Sequence, residues 1–224
     1  MISVITPVFN AEGFLVKNIE SVLSQKEVSE HILIDDGSTD NSWSIISKYA
    51  ATDNRIIALR HPDKKNHGRS KTRNIGILKA SNKLIAFLDA DDFYLKNRFQ
   101  NDVKILKNED IDGVYNAIGI HFYDSYEGKK NIRARLTTIR TKILPENLFE
   151  KMTPIGNEGW FSGDGFTVKK KPLLEVGLFN EKLVVAEDTE LWIKLAMKYK
   201  LVGGDIHTPV AKRGVHGANV FYDR

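Results

Sequence analysis

The chain has 224 residues, 33 Lys and Arg against 29 Asp and Glu, a formal charge of +4 and an isoelectric point near 9.0. The absence of cysteine excludes a disulfide framework and a thiolate metal site and allows a cytoplasmic location. No run of about 18 apolar residues occurs, so any membrane association is expected to be peripheral.

With 42% hydrophobic and 28% charged residues, the composition is that of a globular protein, and no Pro/Gly/Ser-rich stretch offers a linker. One domain over 1–224 is expected. The N-terminus goes straight into a strand-like alternation, "MISVITPVFN", without the basic and apolar regions of a secretory signal.

Along residues 1–110 one pattern repeats: a β-rich apolar run, a polar or acidic clump, then a helical period. "ISVIT" leads through "PVFNAEG" to a helix carrying Phe14, Leu15, Ile19, Val22 and Leu23. "HILI" leads through "DDGSTDNS" to a helix with Trp43, Ile46 and Tyr49, which Asp40 or Ser42 could cap. "RIIALR" precedes a basic cluster and a helix around Ser70 to Ala80. "KLIAFL" runs into "DADD", with a helix expected over Leu95, Phe99, Val103 and Leu106. Strands alternating with helices imply βαβ units and a mostly parallel sheet, an α/β fold whose polar clumps share the carboxyl edge.

Residues 111–224 read differently, as a mixed-sheet half. Two strands, Gly113–Asp124 and Asn131–Ile139, are expected around "SYEGKK", then a short helix opening at Pro145 and Glu146. "EGWFSGDGFTVKK" suggests a strand lining a site, followed by a helical turn from Lys171 to Glu175 that ends near Gly177. In "EDTELWIKLAMKYK", Leu191, Leu195 and Tyr199 stack at helical spacing. The Gly- and Pro-punctuated tail "GGDIHTPVAKRGVHGANV" reads as mobile.

The chemistry is concentrated in the acidic clumps. Asp89, Asp91 and Asp92 crowd the end of an apolar strand, where like charges repel unless a cation answers them. Such oxygens suit Mg2+ or Mn2+, although an acid before a helix also caps it. Asp35 and Asp36 stand at a second strand end, where a carboxylate can accept from a base imide or a ribose hydroxyl. Ordinary turn chemistry is the competing explanation there. Neither GxxxxGK[ST] nor GxGxxG is present, so a P-loop nucleotidase and a dinucleotide dehydrogenase are unsupported.

"SVITPVFNAEGFLVKNIESVLSQ", "HILIDDGSTDNS", "HGRSKTRNIGI", "IAFLDADD" and "AEDTELWIKLA" together resemble the family 2 glycosyltransferases of the GT-A (Rossmann-like) fold, in order and in approximate spacing. The resemblance runs to about Tyr199. It implies inverting transfer of a sugar from a nucleotide-diphosphate sugar, most often a UDP-sugar, to a hydroxyl of a glycan or lipid-linked acceptor. Residues 1–110 would then bind the donor and 111–224 the acceptor. By motif, Thr6, Pro7 and Val8 would line the base pocket and Asp36 would bind the base. Arg73 would sit near the base and diphosphate, Asp89 at the ribose, and Asp91 on the Mn2+ or Mg2+ bridging both phosphates. Asp188 corresponds to the catalytic base, and Glu187 beside it would orient the acceptor.

His216 lies where related enzymes carry an Arg or His over the donor, against the plainer reading of a structural histidine. Trp160 could stack on an acceptor sugar and Asp164 bind its hydroxyls, with a core Trp as the alternative. No QxxRW motif is present, which favours single addition over processive polymerisation, as expected in cell-surface polysaccharide synthesis; Thr72 stands where the family usually has Ala. The basic run Lys129–Lys142 would suit contact with an anionic membrane at the inner face, beside a lipid-linked acceptor. A non-catalytic nucleotide-sugar-binding domain is the alternative function. A nucleic-acid module is not expected, because the lysine clusters lack interleaved aromatics.

Overall fold

A computed structural model describes residues 1–123 and 136–217. Its first half follows the expected alternation: β1 (Ile2–Val8), α1 (Leu15–Leu23), β2 (Val28–Asp35), α2 (Ser42–Ala50), β3 (Ile56–Arg60), α3 (Arg69–Lys79) and β4 (Leu84–Phe87). The four strands are parallel neighbours in the order β3-β2-β1-β4. The chain therefore winds outward from β1 to β3 and then returns to the far side of β1. That reversal opens a crevice at the carboxyl ends of β1 and β4, where open α/β sheets bind ligands.

The second half adds β5 (Phe93–Tyr94), α4 (Asp102–Ile105), β6 (Gly113–Tyr115), β7 (Ile118–Phe122), α5 (Leu148–Lys151), β8 (Phe166–Lys169), α6 (Lys170–Glu175), α7 (Glu187–Lys198), β9 (Leu201–Gly203) and β10 (Ala211–Val215). The main sheet continues as β4-β8-β6-β9, with β8 antiparallel to both β4 and β6 and β9 parallel to β6. A small sheet orders β5-β10-β7. This is the α/β GT-A architecture with a mixed second half.

Three local expectations change. The helix expected from Leu95 shrinks to the four residues of α4, because Asn97 turns the chain with φ 63° and Arg98 is drawn inward instead of lying on a helix surface. Arg98 is 1% exposed, pairs with Asp102 at 2.7 Å and donates through Nε to the Asp164 carbonyl at 3.1 Å. Asp102 also accepts from Thr167 and Asn116, so the buried pair is fully hydrogen-bonded, the condition under which burying it is tolerable. The long strand expected over Gly113–Asp124 splits: β6 stays in the main sheet and β7 crosses to the small one. The segment read as a mobile tail begins at Gly203, the last residue of β9, and carries β10 in the middle of the small sheet instead. Most of the strand expected at Asn131–Ile139 lies outside the described residues, as do residues 129–135 of the basic run; Thr137 and Ile139 form isolated bridges to Ile118 and Gly159.

The main core lies between the sheet and α3, α5, α6 and α7. Phe87, Phe161, Phe166 and Phe179 surround Trp192 with ring centroids 4.7–5.9 Å away. The spacing of Leu191 and Leu195 thus does what its period implies, burying one face of α7. Among the described residues no helix is long and apolar enough to cross a membrane.

The seat of α3 depends on Gly76. A Cβ there would lie 2.5 Å from Ile5 Cγ2 and 3.0 Å from Ile34 Cδ1, so the helix can approach β1 and β2 this closely only without a side chain. Gly76→Ala gains about 1 kcal/mol of helix propensity but overpacks the core at a cost of about 1–3 kcal/mol. The 2.5 Å approach puts the clash toward the upper end of that range, so urea denaturation is expected to show net destabilisation of up to about 2 kcal/mol. A more stable variant would show that α3 is free to lift from the sheet.

Candidate active site

The site begins where β4 ends. After Phe87 the chain passes Leu88 and enters Asp89-Ala90-Asp91-Asp92, a loop pinned from below by Asn18 of α1, whose amide donates to the carbonyls of Asp89 at 2.8 Å and Asp92 at 3.0 Å. Asn18 is completely buried. From above, the amide of Gly214 in β10 donates to Asp92 Oδ1 at 2.7 Å, and a Cβ on Gly214 would lie 2.2 Å from the Asp91 carbonyl. This crowding explains why the C-terminal segment is ordered: the acidic loop needs it as a wall.

Four carboxylates meet here. Oxygens of Asp89, Asp92 and Asp164 lie within 4.8 Å of one another, and Asp91 adjoins them in sequence. Asp164, expected to meet acceptor hydroxyls, is 3% exposed and turned into this group, accepting from the Asp89 amide at 3.2 Å and Ser162 Oγ at 3.0 Å. Burial and the nearby Asp89 push its carboxyl up to about 6. Burial, then Asp164, Asp91 and Asp89, raises Asp92 well above the usual carboxylate range. Asp91 is raised too, by burial and then by Asp89. Excess negative charge is therefore a property of the loop.

Asp89 goes the other way. Burial opposes its ionised form, but Arg73, with Arg69 and Arg213, more than offsets that and holds it below the ordinary value. Arg73 reaches from α3 to Asp89 Oδ1 at 2.5 Å and to Glu187 Oε1 at 2.9 Å. Its side chain is 7% exposed, so the guanidinium expected beside the base and diphosphate is committed to two carboxylates. Arg69, one helical turn earlier, meets the same Glu187 oxygen at 2.9 Å. Glu187, expected to orient an acceptor, is itself buried and held by both arginines.

Asp188 is the next residue and is half-buried at the start of α7. The turn that delivers it is strained: Ala186 has φ 59°, a left-handed conformation uncommon for a residue with a side chain. Asp188 Oδ1 accepts from the Thr189 amide at 2.7 Å. Glu187 and Asp188 thus split the work, one anchoring the helix and the other facing outward.

His216 Nε2 lies 3.1 Å from Asp91 Oδ2, and its ring stacks on Phe14 with centroids 4.3 Å apart. The structure therefore brings together Asp89, Asp91, Arg73, Glu187, Asp164 and His216. Of the base-side residues, Thr6 Oγ1 lies 3.0 Å from His31 Nε2 on the neighbouring strand, Val8 is buried and Pro7 is half-buried. Asp36, expected at the base, spends both oxygens on the amides of His67 at 2.7 Å and Gly68 at 3.0 Å, anchoring the basic loop to the end of β2. Trp160 is 47% exposed rather than a core residue.

The residues fit a divalent cation. The cluster is oxygen-rich, burial and then neighbouring carboxylates raise Asp91, Asp92 and Asp164, and Asp89 and Asp91 are its more exposed members while Asp92 and Asp164 are buried. Sequence reasoning passed over Asp92 and Arg69 as site residues. Asp92 read as part of the acidic clump, with no role of its own and helix capping as the alternative, and Arg69 as one charge in a basic run, although its spacing from Arg73 places both on one face of α3.

The raised carboxyl of Asp164 sets a pH dependence. The folded protein holds this proton more tightly than the unfolded chain does, so the stability it contributes is present at pH 4 and declines as pH rises to about 6. Asp164→Asn removes that decline. Relative to the unaltered protein, the variant should gain on the order of 1 kcal/mol between pH 4.5 and 7.5 in urea denaturation with a chelator present. An offset that is the same at both pH values would show that Asp164 is not under charge stress.

Comparison with known proteins agrees with this geometry. The family model described as glycosyl transferase family 2 matches residues 3–174. A Rickettsia bellii protein named a glycosyltransferase is 32% identical over 225 residues, covering 99% of this chain and 30% of its own length. The Staphylococcus aureus TarS structure with UDP-GlcNAc superposes with a TM-score of 0.74 at 17% identity, covering 100% of this chain and 61% of that one. A Pyrobaculum calidifontis mannosyltransferase solved with GDP-Man and Mn2+ gives a TM-score of 0.70 at 20% identity, over 97% of this chain and 58% of that one. The chain thus spans less than two thirds of the length of each. On the motif order, the sheet and the family match together, this chain belongs to the family 2 glycosyltransferases.

Proposed function

We propose that the chain is a metal-dependent, inverting glycosyltransferase that moves one sugar from a nucleotide-diphosphate sugar, with UDP as the nucleotide, to a hydroxyl of a glycan or lipid-linked acceptor. The observation that carries this reading is the Arg73 bridge. Its guanidinium ties Asp89 at the end of β4 to Glu187 at the start of α7, the residue before Asp188, and this supports a crevice shared by the acidic loop and Asp188. A binding domain needs the first of these but has no use for a half-buried carboxylate presented by a strained turn.

Each residue has a task under this reading. Asp36 holds His67 and Gly68 so that the basic loop walls the base side, and Pro7 lies at its floor. Asp89, kept ionised by Arg73, is the hydrogen-bond acceptor for a ribose. Asp91 and His216, 3.1 Å apart, are placed to hold Mn2+ or Mg2+ at the mouth, with Asp92 and Asp164 adding negative charge below. When bound, the cation supplies positive charge against the departing diphosphate. Asp188 takes the proton from the acceptor hydroxyl as that oxygen attacks the anomeric carbon from the face opposite the leaving group, which inverts the centre. Trp160, exposed on the acceptor half, offers a ring for a sugar to stack on. Single addition, in the synthesis of cell-surface polysaccharide, is part of the same proposal.

Two variants separate binding from chemistry. Asp188→Asn should bind UDP-sugar with Mn2+ as the unaltered protein does in calorimetry, while transfer falls by about 10²–10⁴-fold. Asp91→Asn should lose the Mn2+-dependent part of donor affinity. Folded protein that takes up none of a panel of nucleotide sugars with Mn2+ would overturn the proposal, and near-normal transfer by Asp188→Asn would remove the assigned base.

A further inference from the structure

A second group of polar side chains lies on the small sheet, apart from the donor residues. In the sheet register Lys212 sits opposite Phe93 on one side and Gly119 on the other, so these three positions share a face; His121 and Tyr123 follow Gly119 at alternate positions and share it too. Helix α1 covers this face with Phe14 and Lys17. Gly119 is what makes room: a Cβ there would lie 2.7 Å from Lys212 Nζ, so the lysine lies flat across the sheet. Lys17 Nζ stands 3.6 Å over the Phe93 ring and 3.1 Å from His121 Nε2.

The charges here are unbalanced. Among the described residues, no carboxylate forms an ion pair with Lys17 or Lys212. Burial and the two lysines hold the His121 imidazole below its ordinary value, so it is neutral and accepts from Lys17. Phe14 packs on both Tyr123 and His216, and the Tyr123 ring lies 5.1 Å from the Lys17 ammonium and 6.4 Å from the His216 ring, so aromatic side chains lie between this face and the His216–Asp91 pair. Two ammonium groups thus share one face with no carboxylate partner among the described residues.

We propose that Lys17, His121 and Lys212 form a binding site for a phosphate ester, distinct from the donor diphosphate site. Two point charges with rotatable donors beside an imidazole suit the tetrahedral oxygens of a phosphate, and the Phe93 and Tyr123 rings suit the carbon chain attached to it. The site adjoins His216, so a molecule anchored here extends toward the crevice. If the transferase reading holds, that molecule is the acceptor, and its phosphate belongs either to a polyol-phosphate chain or to a prenyl diphosphate. Binding at the site does not depend on that reading.

Calorimetry on the full chain, at low salt with chelator and without nucleotide, tests this with two probes: a glycerol phosphate oligomer and a short-chain prenyl diphosphate. At least one should bind, and the one that does identifies the source of the phosphate. The Lys17→Met/Lys212→Met double variant should weaken it roughly tenfold or more, while Asp91→Asn retains it. The single variant Lys212→Gln, together with protection of Lys17 and Lys212 from acetylation in the unaltered protein, gives the same answer if the double variant misfolds. Failure of both probes to bind, or equal affinity in the double variant, would overturn the site. A failed Mn2+ and nucleotide-sugar assay would instead count against the donor reading alone.

Discussion

The guanidinium of Arg73 is the contact on which the site depends. It is nearly buried and takes Asp89 on one side and Glu187 on the other, so the last residue group of the parallel half and the first turn of α7 are joined through a single planar ion. A lysine could satisfy the charge but not the geometry, because the fork of an arginine directs separate nitrogens at separate carboxylates. Burying such an ion is costly unless every partner is present, and that cost makes the arrangement specific. If Glu187 shifts, Arg73 is left half-paired in a buried setting, with Asp89 as its remaining carboxylate partner.

The same electrostatics sort the four aspartates by task. Asp89 stays ionised because Arg73 outweighs the burial penalty. Asp92 and Asp164 lie deeper, where burial comes first and nearby charge second in favouring a bound proton, Asp89 acting on Asp164 and Asp164, Asp91 and Asp89 acting on Asp92. Their hydrogen bonds are to the scaffold: Gly214 for Asp92, and Ser162 with the Asp89 amide for Asp164. The deep pair therefore braces the loop, and the shallower Asp89 and Asp91 are the ones a ligand in the crevice can reach. A row of acids in a sequence does not show this division, since it depends on depth.

How much the sequence disclosed depended on the distance over which each feature is determined. The four parallel strands and α1 to α3 were legible because hydrophobic periodicity is local and their strands are short, buried and flanked by acidic turns. The acidic loop and the Glu187-Asp188 helix start were legible as motifs for the same reason. What stayed hidden was pairing across the chain. Asp164 joins Asp89 from 75 positions away, and nothing near "SGDG" marks it as part of an acidic cluster. Asp36 looked like a ligand-facing carboxylate because its partners, the amides of His67 and Gly68 and the ring of His61, come from a segment some 25–32 positions further on. The helix expected after the acidic loop had the right apolar spacing, yet Arg98 pulls inward to Asp102 and tertiary pairing overrides propensity. The tail misled because its glycines suggested mobility, whereas Gly214 is there for close approach to Asp91.

Gly214 also shows how the C-terminal segment and the acidic loop depend on each other. β10 lies between β5 and β7 and presents the Gly214 amide to Asp92 and the His216 ring to Asp91. A small side chain at position 214 would push the strand off the loop, removing a donor from one aspartate and a partner from the next. Because β5 follows directly from that loop, the small sheet is closed by the same residues that form the acidic wall. Moving β10 off the loop would therefore take the Gly214 amide from Asp92 and the His216 ring from Asp91 together, so the strand's seat and the partners of the two aspartates are set by the same contacts.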